Sequence, residues 1–323
     1  MVTSASAPHT PVMLGEVLGG LSPKDGGVYV DGTFGNGGYS RAVLNAASCT
    51  VYGIDRDPNA VAKAHDMESE FGGRFTIIEG RFGSIAELLT SRAIGPVDGV
   101  AFDVGVSSMQ IDTPERGFSF RTDGPLDMRM ESAGTSASDI VNDMEETDLA
   151  NIIYELGEER FARRVAGAIV AARTEEPILR TLQLAEIVRR VVPKSKDGID
   201  TATRTFQALR IFVNDELGEI DRGLVGAEQV LAPGGRLCVV SFHSLEDRLV
   251  KRFFKTRSGD APGPSRHMPQ SSVPEKQPTF NLLSRKSITP SSDELRDNPR
   301  ARSARLRVGE RTSAPAWNSE EAA

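Results

Sequence analysis

The chain has 323 residues, of which 26% are charged and 39% hydrophobic, and its net charge is −7. This length accommodates two domains of ordinary size, and no apolar run approaches the roughly 20 residues of a membrane span. The N-terminus lacks the pattern of a signal peptide, and two cysteines with four scattered histidines provide neither a disulfide framework nor a zinc site. We therefore expect a protein of a reducing cytoplasm, without a metal site or a membrane partner.

The first third of the chain alternates predicted strands with predicted helices. A helix over residues 10–18 precedes the first strand, and a turn containing Gly32, Gly35, Gly37 and Gly38 follows that strand. The predicted strands are residues 28–31, 50–54, 74–79 and 97–104. This alternation predicts a parallel sheet that binds its ligand at the carboxyl ends of the strands.

The glycine-rich turn favours a nucleoside-type cofactor when it is considered together with Asp55. Backbone without side chains can approach a ligand closely, although glycines by themselves also suit an ordinary tight turn. Asp55 follows Gly35 by 20 residues and closes the second strand, where an acid can accept hydrogen bonds from both ribose hydroxyls of an adenosine. The tighter glycine turn of dehydrogenases and the Gly-Lys-Ser/Thr loop of NTPases are both missing, which disfavours these two classes.

The alternation stops after the fourth strand. Residues 107–130 are predicted to be a loop, and helical periodicity then dominates until a helix at residues 205–231 and a strand at 236–242. About a hundred residues thus fill a connection that normally needs about 2–6. We predict an all-α domain at residues 112–201, inserted into an α/β domain formed by residues 1–111 and 202–312.

The C-terminal part is predicted to begin with a helix at residues 244–255, capped by Ser244. Residues 256–278 are predicted to be a flexible loop, residues 279–288 and 301–308 two closing strands, and residues 313–323 a disordered tail.

The charge is distributed unevenly along the chain. Between Arg248 and Arg311 there are 15 Lys or Arg and 6 Asp or Glu, a local charge of +9, so the remainder carries −16. A solvated basic tail is one interpretation, and a localised phosphate-binding surface is the other. Alternating arginines on the predicted last strand favour phosphate contact; they are Arg300, Arg302, Arg305 and Arg307.

Several motifs resemble one family closely. The Leu231–Arg236 turn before the fifth strand and the two closing strands look like the S-adenosylmethionine-dependent methyltransferase fold, a Rossmann-like α/β class. The motifs are Asp31-Gly32-Thr33-Phe34-Gly35, Ile54-Asp55-Arg56-Asp57-Pro58, Asp103-Val104-Gly105-Val106-Ser107-Ser108, Gly124-Pro125-Leu126-Asp127-Met128-Arg129-Met130 and Ser241-Phe242-His243-Ser244-Leu245-Glu246-Asp247-Arg248. They are similar to those of the bacterial 16S rRNA cytosine-N4 methyltransferases, the RsmH or MraW family, over nearly the whole chain.

The resemblance implies S-adenosylmethionine as the cofactor and a cytidine in the decoding centre of 16S rRNA, in the small ribosomal subunit, as the substrate. It places cofactor contacts at Gly37, Gly38, Tyr39, Asp55, Phe82, Asp103 and Gln110. Many members have His where this chain has Tyr39, but the implied contact there is through the backbone. The oligomeric state stays open between monomer and homodimer.

The chemistry of cytosine N4 methylation indicates two catalytic candidates. The amine lone pair is conjugated into the ring, so a group that accepts its hydrogens must orient it toward the methyl donor. We predict that Asp103 is this acceptor, the alternative being that it caps the next turn. His243 either relays the proton lost by the amine or holds a neighbouring loop.

Other interpretations stay open from the residues alone. DNA amino-methyltransferases have Pro-Pro and an aromatic after the equivalent acid, and Val-Gly-Val-Ser-Ser follows Asp103 here. The aromatic that stacks on the target base is therefore unassigned, with Phe118, Phe120 and Phe242 as candidates. A ribosome-assembly factor that binds rRNA without catalysis and an amino-methyltransferase acting on DNA are the alternative functions. Cytosine C5 methylation is excluded, because it needs a nucleophilic cysteine near the fourth strand.

Overall fold

The computed structural model describes residues 11–131, 133–194, 198–260 and 276–317. The chain divides into two compact units, one formed by Met1–Gly105 with Gly218–Ala323 and the other by Val106–Leu217. The second unit starts before and ends after the predicted insert at residues 112–201. Its later end follows from packing, since the helix Thr203–Asn214 lies against the helix Glu146–Gly157 within this unit.

The first unit is built on a seven-stranded sheet. Its strands are β1 Val28–Asp31, β2 Thr50–Asp55, β3 Phe75–Glu79, β4 Val97–Asp103, β5 Leu231–Ser241, β6 Phe280–Leu282 and β7 Arg305–Arg311. Their order is β3-β2-β1-β4-β5-β7-β6. Strands β1 to β5 pair in parallel, whereas β7 is antiparallel to both β5 and β6. The order reverses between β1 and β4, which is where ligands bind in open α/β sheets.

The helices flank this sheet or form the second unit. In chain order they are α1 Leu14–Leu21, α2 Gly38–Ala46, α3 Pro58–Phe71, α4 Ile85–Thr90, α5 Ser108–Asp112, α6 Ala137–Asp143, α7 Glu146–Gly157, α8 Ala162–Glu175, α9 Thr181–Val191, α10 Thr203–Asn214, α11 Glu216–Val230, α12 Ser244–Arg257 and α13 Ser292–Asp297. The single helix predicted at residues 205–231 is two helices. Asp215 lies between them with φ of +48°, a left-handed conformation that interrupts the helical path.

The second unit has its own apolar core. Ile153 on α7, Val165 on α8, Val188 on α9 and Leu209 on α10 are all fully buried in it. The segment predicted as a loop at residues 107–130 contains α5 and a 3₁₀ helix, Pro114–Arg116, and contributes buried side chains to the core. Glycine, proline and serine residues interrupt the apolar periodicity of this segment, so the sequence pattern did not reveal its two short helices.

The closing segment differs from its prediction in several places. Strand β6, Phe280–Leu282, is shorter than the predicted 279–288, and β7 is Arg305–Arg311 instead of 301–308. Helix α12 extends to Arg257, into the predicted loop, of which residues 261–275 lie outside the described residues. The predicted tail is packed as far as it is described, since Trp317 Nε1 donates to the Gln277 carbonyl at 3.1 Å; residues 318–323 lie outside the described part. Arg300 and Arg302 lie on a 3₁₀ helix, so they do not alternate along a strand with Arg305.

In the part of the chain that the structure describes, no helix combines the length and the apolar character that crossing a bilayer requires.

Candidate cofactor and catalytic site

Three acids end neighbouring parallel strands at the carboxyl edge of the sheet. Asp31 closes β1, Asp55 closes β2 and Asp103 closes β4. Because β1 lies between β2 and β4, the three carboxylates occur on consecutive strands around the reversal in strand order. This edge is therefore the candidate site of the first unit.

Asp55 is tied to the glycine-rich turn. Its Oδ2 accepts from the Gly35 backbone N–H at 2.7 Å, and its Oδ1 accepts from the Asp57 N–H at 2.8 Å. Burial raises the pKa of Asp55, and these two N–H groups partly oppose the shift. A carboxylate oxygen has two lone pairs, so both oxygens can still accept a ribose hydroxyl.

Asp31 fixes the start of α2. Its Oδ2 accepts from the Ser40 N–H at 3.1 Å and from the Ser40 hydroxyl at 2.7 Å. Burial raises the pKa of Asp31 to about 6, although hydrogen bonds from Ser40 and Thr33 favour the charged form. An acid placed near the first turn of a helix also interacts favourably with the helix dipole.

Packing within the protein explains why residues 37 and 38, both predicted to contact the cofactor, are glycines. Gly37 has φ of +73°, and a Cβ added to it would lie 2.5 Å from the Met67 side chain. A Cβ on Gly38 would lie 2.0 Å from the Pro11 ring. Both positions therefore need glycine regardless of any ligand, and their contact with a cofactor stays a prediction.

The Tyr39 side chain is engaged away from the turn. It is buried, and its hydroxyl donates to the Val12 carbonyl. Burial also raises the pKa of the Tyr39 phenol. Only the backbone of Tyr39 is left for the contact that the family resemblance implies.

Phe82 begins the 3₁₀ helix Phe82–Ser84 after β3, and its side chain is half-buried. Its ring packs against Phe102 with centroids 5.1 Å apart and an angle of 45° between the planes. A Cβ on Gly223 would lie 2.6 Å from the Phe82 ring, so α11 approaches the ring closely. The exposed part of Phe82 can contact an adenine, and this role stays a prediction.

Asp103 carries an unused acceptor at the end of β4. Its backbone N–H donates to the Thr33 hydroxyl at 2.6 Å, which joins the glycine-rich turn to β4. Its Oδ1 is buried and has no hydrogen-bond partner among the described residues. Burial, followed by the charges of Asp31 and Glu246, raises the pKa of Asp103 well above its usual value. A buried acceptor without a partner is costly, which makes this atom a candidate ligand contact.

His243 is the N-cap of α12, and the prediction that Ser244 caps this helix is wrong. The Nδ1 atom of His243 accepts from the Glu246 N–H at 3.5 Å, while Nε2 lies 2.9 Å from Glu246 Oε1 without hydrogen-bond alignment. Glu246 Oε2 accepts from the N–H groups of Phe242 and His243 at 2.7 and 3.1 Å. The sequence reasoning missed Glu246, although its place three residues after the cap is the capping-box spacing.

Gln110 belongs to the second unit. Its side-chain Oε1 accepts from the Ser107 N–H at 3.0 Å, and the Ser107 hydroxyl accepts from the Gln110 N–H at 3.3 Å. This reciprocal pair caps α5. The side-chain oxygen of Gln110 is therefore used in the helix cap. The predicted contact between Gln110 and the cofactor stays a prediction.

The three aromatic candidates have different surroundings. Phe120 packs edge-on against Phe206 with centroids 4.7 Å apart, and Phe118 is also packed on the helical core of the second unit. Phe242 follows β5 and lies 3.7 Å from where a Cβ on Gly105 would stand, just beyond the end of β4. Phe242 is therefore the candidate that lies beside the end of β4, where Asp103 is located.

The charged cluster of the second unit is internally paired. Arg129 contacts both oxygens of Asp127, at 2.9 and 2.7 Å, and Arg116 donates to the carbonyls of Arg129 and Met130 at 3.0 Å each. These contacts show that the Asp127 carboxylate and the Arg129 guanidinium are partners of each other within the second unit.

Both cysteines are buried. Burial raises the pKa of Cys238 to about 12 and that of Cys49 as well, so neither thiol ionises readily. A nucleophilic role is excluded for thiols in this state.

The acceptors at the sheet edge suit a nucleoside-type methyl donor. Asp55 has lone pairs left for the ribose contact that the sequence predicts, and the unpartnered Oδ1 of Asp103 is available to a polar group. A sheet whose five parallel strands reverse in order between β1 and β4, with antiparallel β7 between β5 and β6, has the Rossmann-like fold of S-adenosylmethionine-dependent methyltransferases.

The chain belongs to the MraW methylase family, whose model matches residues 6–312. Fold and family together identify S-adenosylmethionine as the cofactor. A relative from Paramagnetospirillum magneticum is 63% identical over 310 residues, which are 96% of this chain and 98% of the relative. One from Rhodospirillum centenum is 61% identical over 315 residues, which are 98% and 95% of the two chains. Both are named ribosomal RNA small subunit methyltransferase H.

Solved structures show more distant likenesses. An rRNA methylase from Streptococcus thermophilus aligns with a TM-score of 0.39 and 11% identity, over 95% of this chain and 100% of its own. TrmN from Thermus thermophilus aligns with a TM-score of 0.42 and 11% identity, over 93% of this chain and 48% of its own. These scores are too low to support any assignment of function.

Proposed function

We propose that this chain transfers a methyl group from S-adenosylmethionine to the exocyclic N4 of a cytidine in the decoding centre of 16S rRNA. The names of the relatives support small-subunit rRNA as the substrate class. The atom N4 and the decoding centre come from the family resemblance of the motifs. The single observation that carries the proposal is the buried, unpartnered Oδ1 of Asp103 at the carboxyl end of β4.

The proposed role of Asp103 is to accept a hydrogen bond from the amine. An N–H donor at Oδ1 would satisfy the buried acceptor and pull the nitrogen toward a geometry with a directed lone pair. When bound, S-adenosylmethionine supplies an electrophilic methyl group on its sulfonium. The backbone of Gly37, Gly38 and Tyr39, the carboxylate of Asp55 and the ring of Phe82 are the groups of this unit proposed to hold it.

The amine loses a proton after methylation, and the raised pKa of Asp103 suits its carboxylate to take up that proton. His243 is the group proposed to carry this proton onward. Because Nδ1 accepts the Glu246 N–H in the helix cap, the hydrogen of the neutral ring is on Nε2, 2.9 Å from Glu246 Oε1, and the ring takes up a further proton only when Nδ1 leaves the cap.

Mass spectrometry of rRNA nucleosides tests the proposal. Cells lacking the protein should lack N4-methylcytidine at one site, and the wild-type chain should restore it whereas Asp103→Ala should not. Purified protein with labelled S-adenosylmethionine should transfer methyl to small-subunit RNA. No transfer to any ribosomal substrate would overturn the proposal, and rescue of growth by an inactive variant would instead indicate a non-catalytic assembly factor.

A further inference from the structure

A basic cavity lies at the edge of the sheet formed by α12, β6 and β7. Its volume is about 290 Å³, at the lower end of the range for ligand pockets. Its floor is apolar, made by Phe254, Leu282 and Val308, and its rim carries Lys251, Lys255 and Arg285, among others. No part of the catalytic mechanism proposed above uses these residues.

The rim cations are placed to act together. Lys251 and Lys255 are four residues apart on α12, so they lie on the same face of the helix. Both lysines and Arg285 are exposed, and none of the three has an ion pair with an acid of the described residues. Asp260 is the acid that lines the cavity with them.

A fourth cation, Arg307, forms part of the wall but is already neutralised. Its guanidinium contacts both oxygens of Asp247, at 2.7 and 3.0 Å, and the two side chains are only 13% and 19% exposed. This pair holds the wall in place. The excess positive charge of the cavity therefore comes from Lys251, Lys255 and Arg285.

The positive charge continues beyond the cavity along the same unit. Lys286, Arg302 and Arg305 are exposed, and Arg305 donates to the Ser287 hydroxyl at 3.4 Å. A free anion would occupy only the cavity, whereas the phosphate backbone of a nucleic acid can contact the whole basic surface. The apolar floor can take the sugar or base of one nucleotide while the rim cations contact its phosphates.

From this arrangement we infer that the α12–β6–β7 cavity binds one nucleotide unit of an RNA strand, holding the substrate through its backbone away from the reacting base. This inference rests on the proposed function, since it names a second contact surface for the same RNA. Contacts to phosphate carry no sequence information, so the surface adds affinity and orientation to the substrate.

The variant Lys251→Gln/Lys255→Gln tests the inference in the full-length protein. Release of counterions gives a salt slope of about 0.7 per phosphate contact on single strands, so each lysine is worth about fivefold in affinity at 0.1 M salt. Fluorescence anisotropy with a labelled 16S rRNA fragment should show affinity lowered more than tenfold and the slope reduced by about 1.4. The KM for RNA should rise, while kcat and the Kd of S-adenosylmethionine stay unchanged.

Two controls separate a specific site from general charge. Arg252→Gln removes a charge from the same helix next to Lys251, where Arg252 is 69% exposed and 3.9 Å from Asp221, and it should leave the slope nearly unchanged. Lys251→Arg/Lys255→Arg keeps the charge and should retain RNA binding. An equal loss in the Arg252 variant would overturn the inference.

Nucleotide binding and methyl transfer by the double glutamine variant also test the inference. If the double glutamine variant loses binding of cytidine monophosphate but binds RNA as the wild type does, the cavity is a site for free nucleotides and the inference fails. If the wild type methylates rRNA and the variant binds and reacts identically, the inference fails while the proposed function stands. Conversely, RNA binding that depends on both lysines in a protein without methyl transfer would support the cavity and overturn the proposed function.

Discussion

Replacing Asp103 by Asn is expected to inactivate the protein and stabilise it at the same time. Asn keeps the shape of the side chain but removes its charge and its capacity to take up a proton. Loss of an acid–base group typically costs 10²–10⁴-fold in rate. We therefore expect kcat to fall by this factor, which corresponds to about 3–5 kcal/mol in the activation free energy.

The stability effect follows from the raised pKa of Asp103, caused by burial and by the nearby charges of Asp31 and Glu246. Between the pKa of the unfolded state, about 3.9, and the higher pKa of the folded state, the folded protein binds more protons. The free energy of unfolding of the wild type then falls by up to about 1.4 kcal/mol per pH unit from this group. Asparagine has no such dependence, so the advantage of Asp103→Asn should be smallest near pH 4 and grow as the pH rises.

Urea unfolding from pH 4.5 to 8, with methyl-transfer rates on the same preparations, measures both effects. Asp98→Asn is the matched control at the other end of β4, where Asp98 binds Lys24 at 2.7 Å and the Val28 N–H at 2.9 Å. Burial raises the pKa of Asp98, but these partners outweigh it and lower the pKa. This control should lose stability at neutral pH and keep its kcat. Equal stability of Asp103→Asn and wild type at all pH values, or full activity, would refute the reasoning.

Three further changes test hydrogen bonds and packing within the first unit. Gly37→Ala should lower the free energy of unfolding by about 1–3 kcal/mol in urea, because φ is +73° and the added Cβ would meet a methionine side chain at 2.5 Å; Gly15→Ala, with open space around it, should not. Tyr39→Phe should cost about 1 kcal/mol by loss of a buried hydrogen bond yet leave the Kd of S-adenosylmethionine unchanged in calorimetry; a weaker Kd would mean that the hydroxyl reaches the ligand. Arg257→Met leaves the fully buried Glu228 without its 2.9 Å partner and should cost about 3–5 kcal/mol in chemical denaturation. Adding Glu228→Gln should recover most of that loss, and no recovery would contradict the pairing.

Much of the sheet could be predicted because its information is local. Alternating β-branched residues and glycine turns marked β1 to β4 within a residue of their observed ends, and Asp55 stood out by its spacing from Gly35. Residues whose conformation depends on distant neighbours were predicted less well. Asp215 divides one predicted helix into two, and Arg300 and Arg302 lie on a 3₁₀ helix outside the strand assigned to them.

The sequence by itself determined the class of cofactor and the acids that end the strands, since the order of strands, glycines and acids along the chain carries that information. Only the tertiary structure decided which of those groups already have partners. Gly37 and Gly38 are required by packing, the Tyr39 hydroxyl is bound to a carbonyl, and Asp103 alone of the three strand-end acids has a buried oxygen without a partner among the described residues. The reason is physical: hydrogen-bond partners and steric contacts join residues that are far apart in the chain, and spacing along the sequence does not encode them.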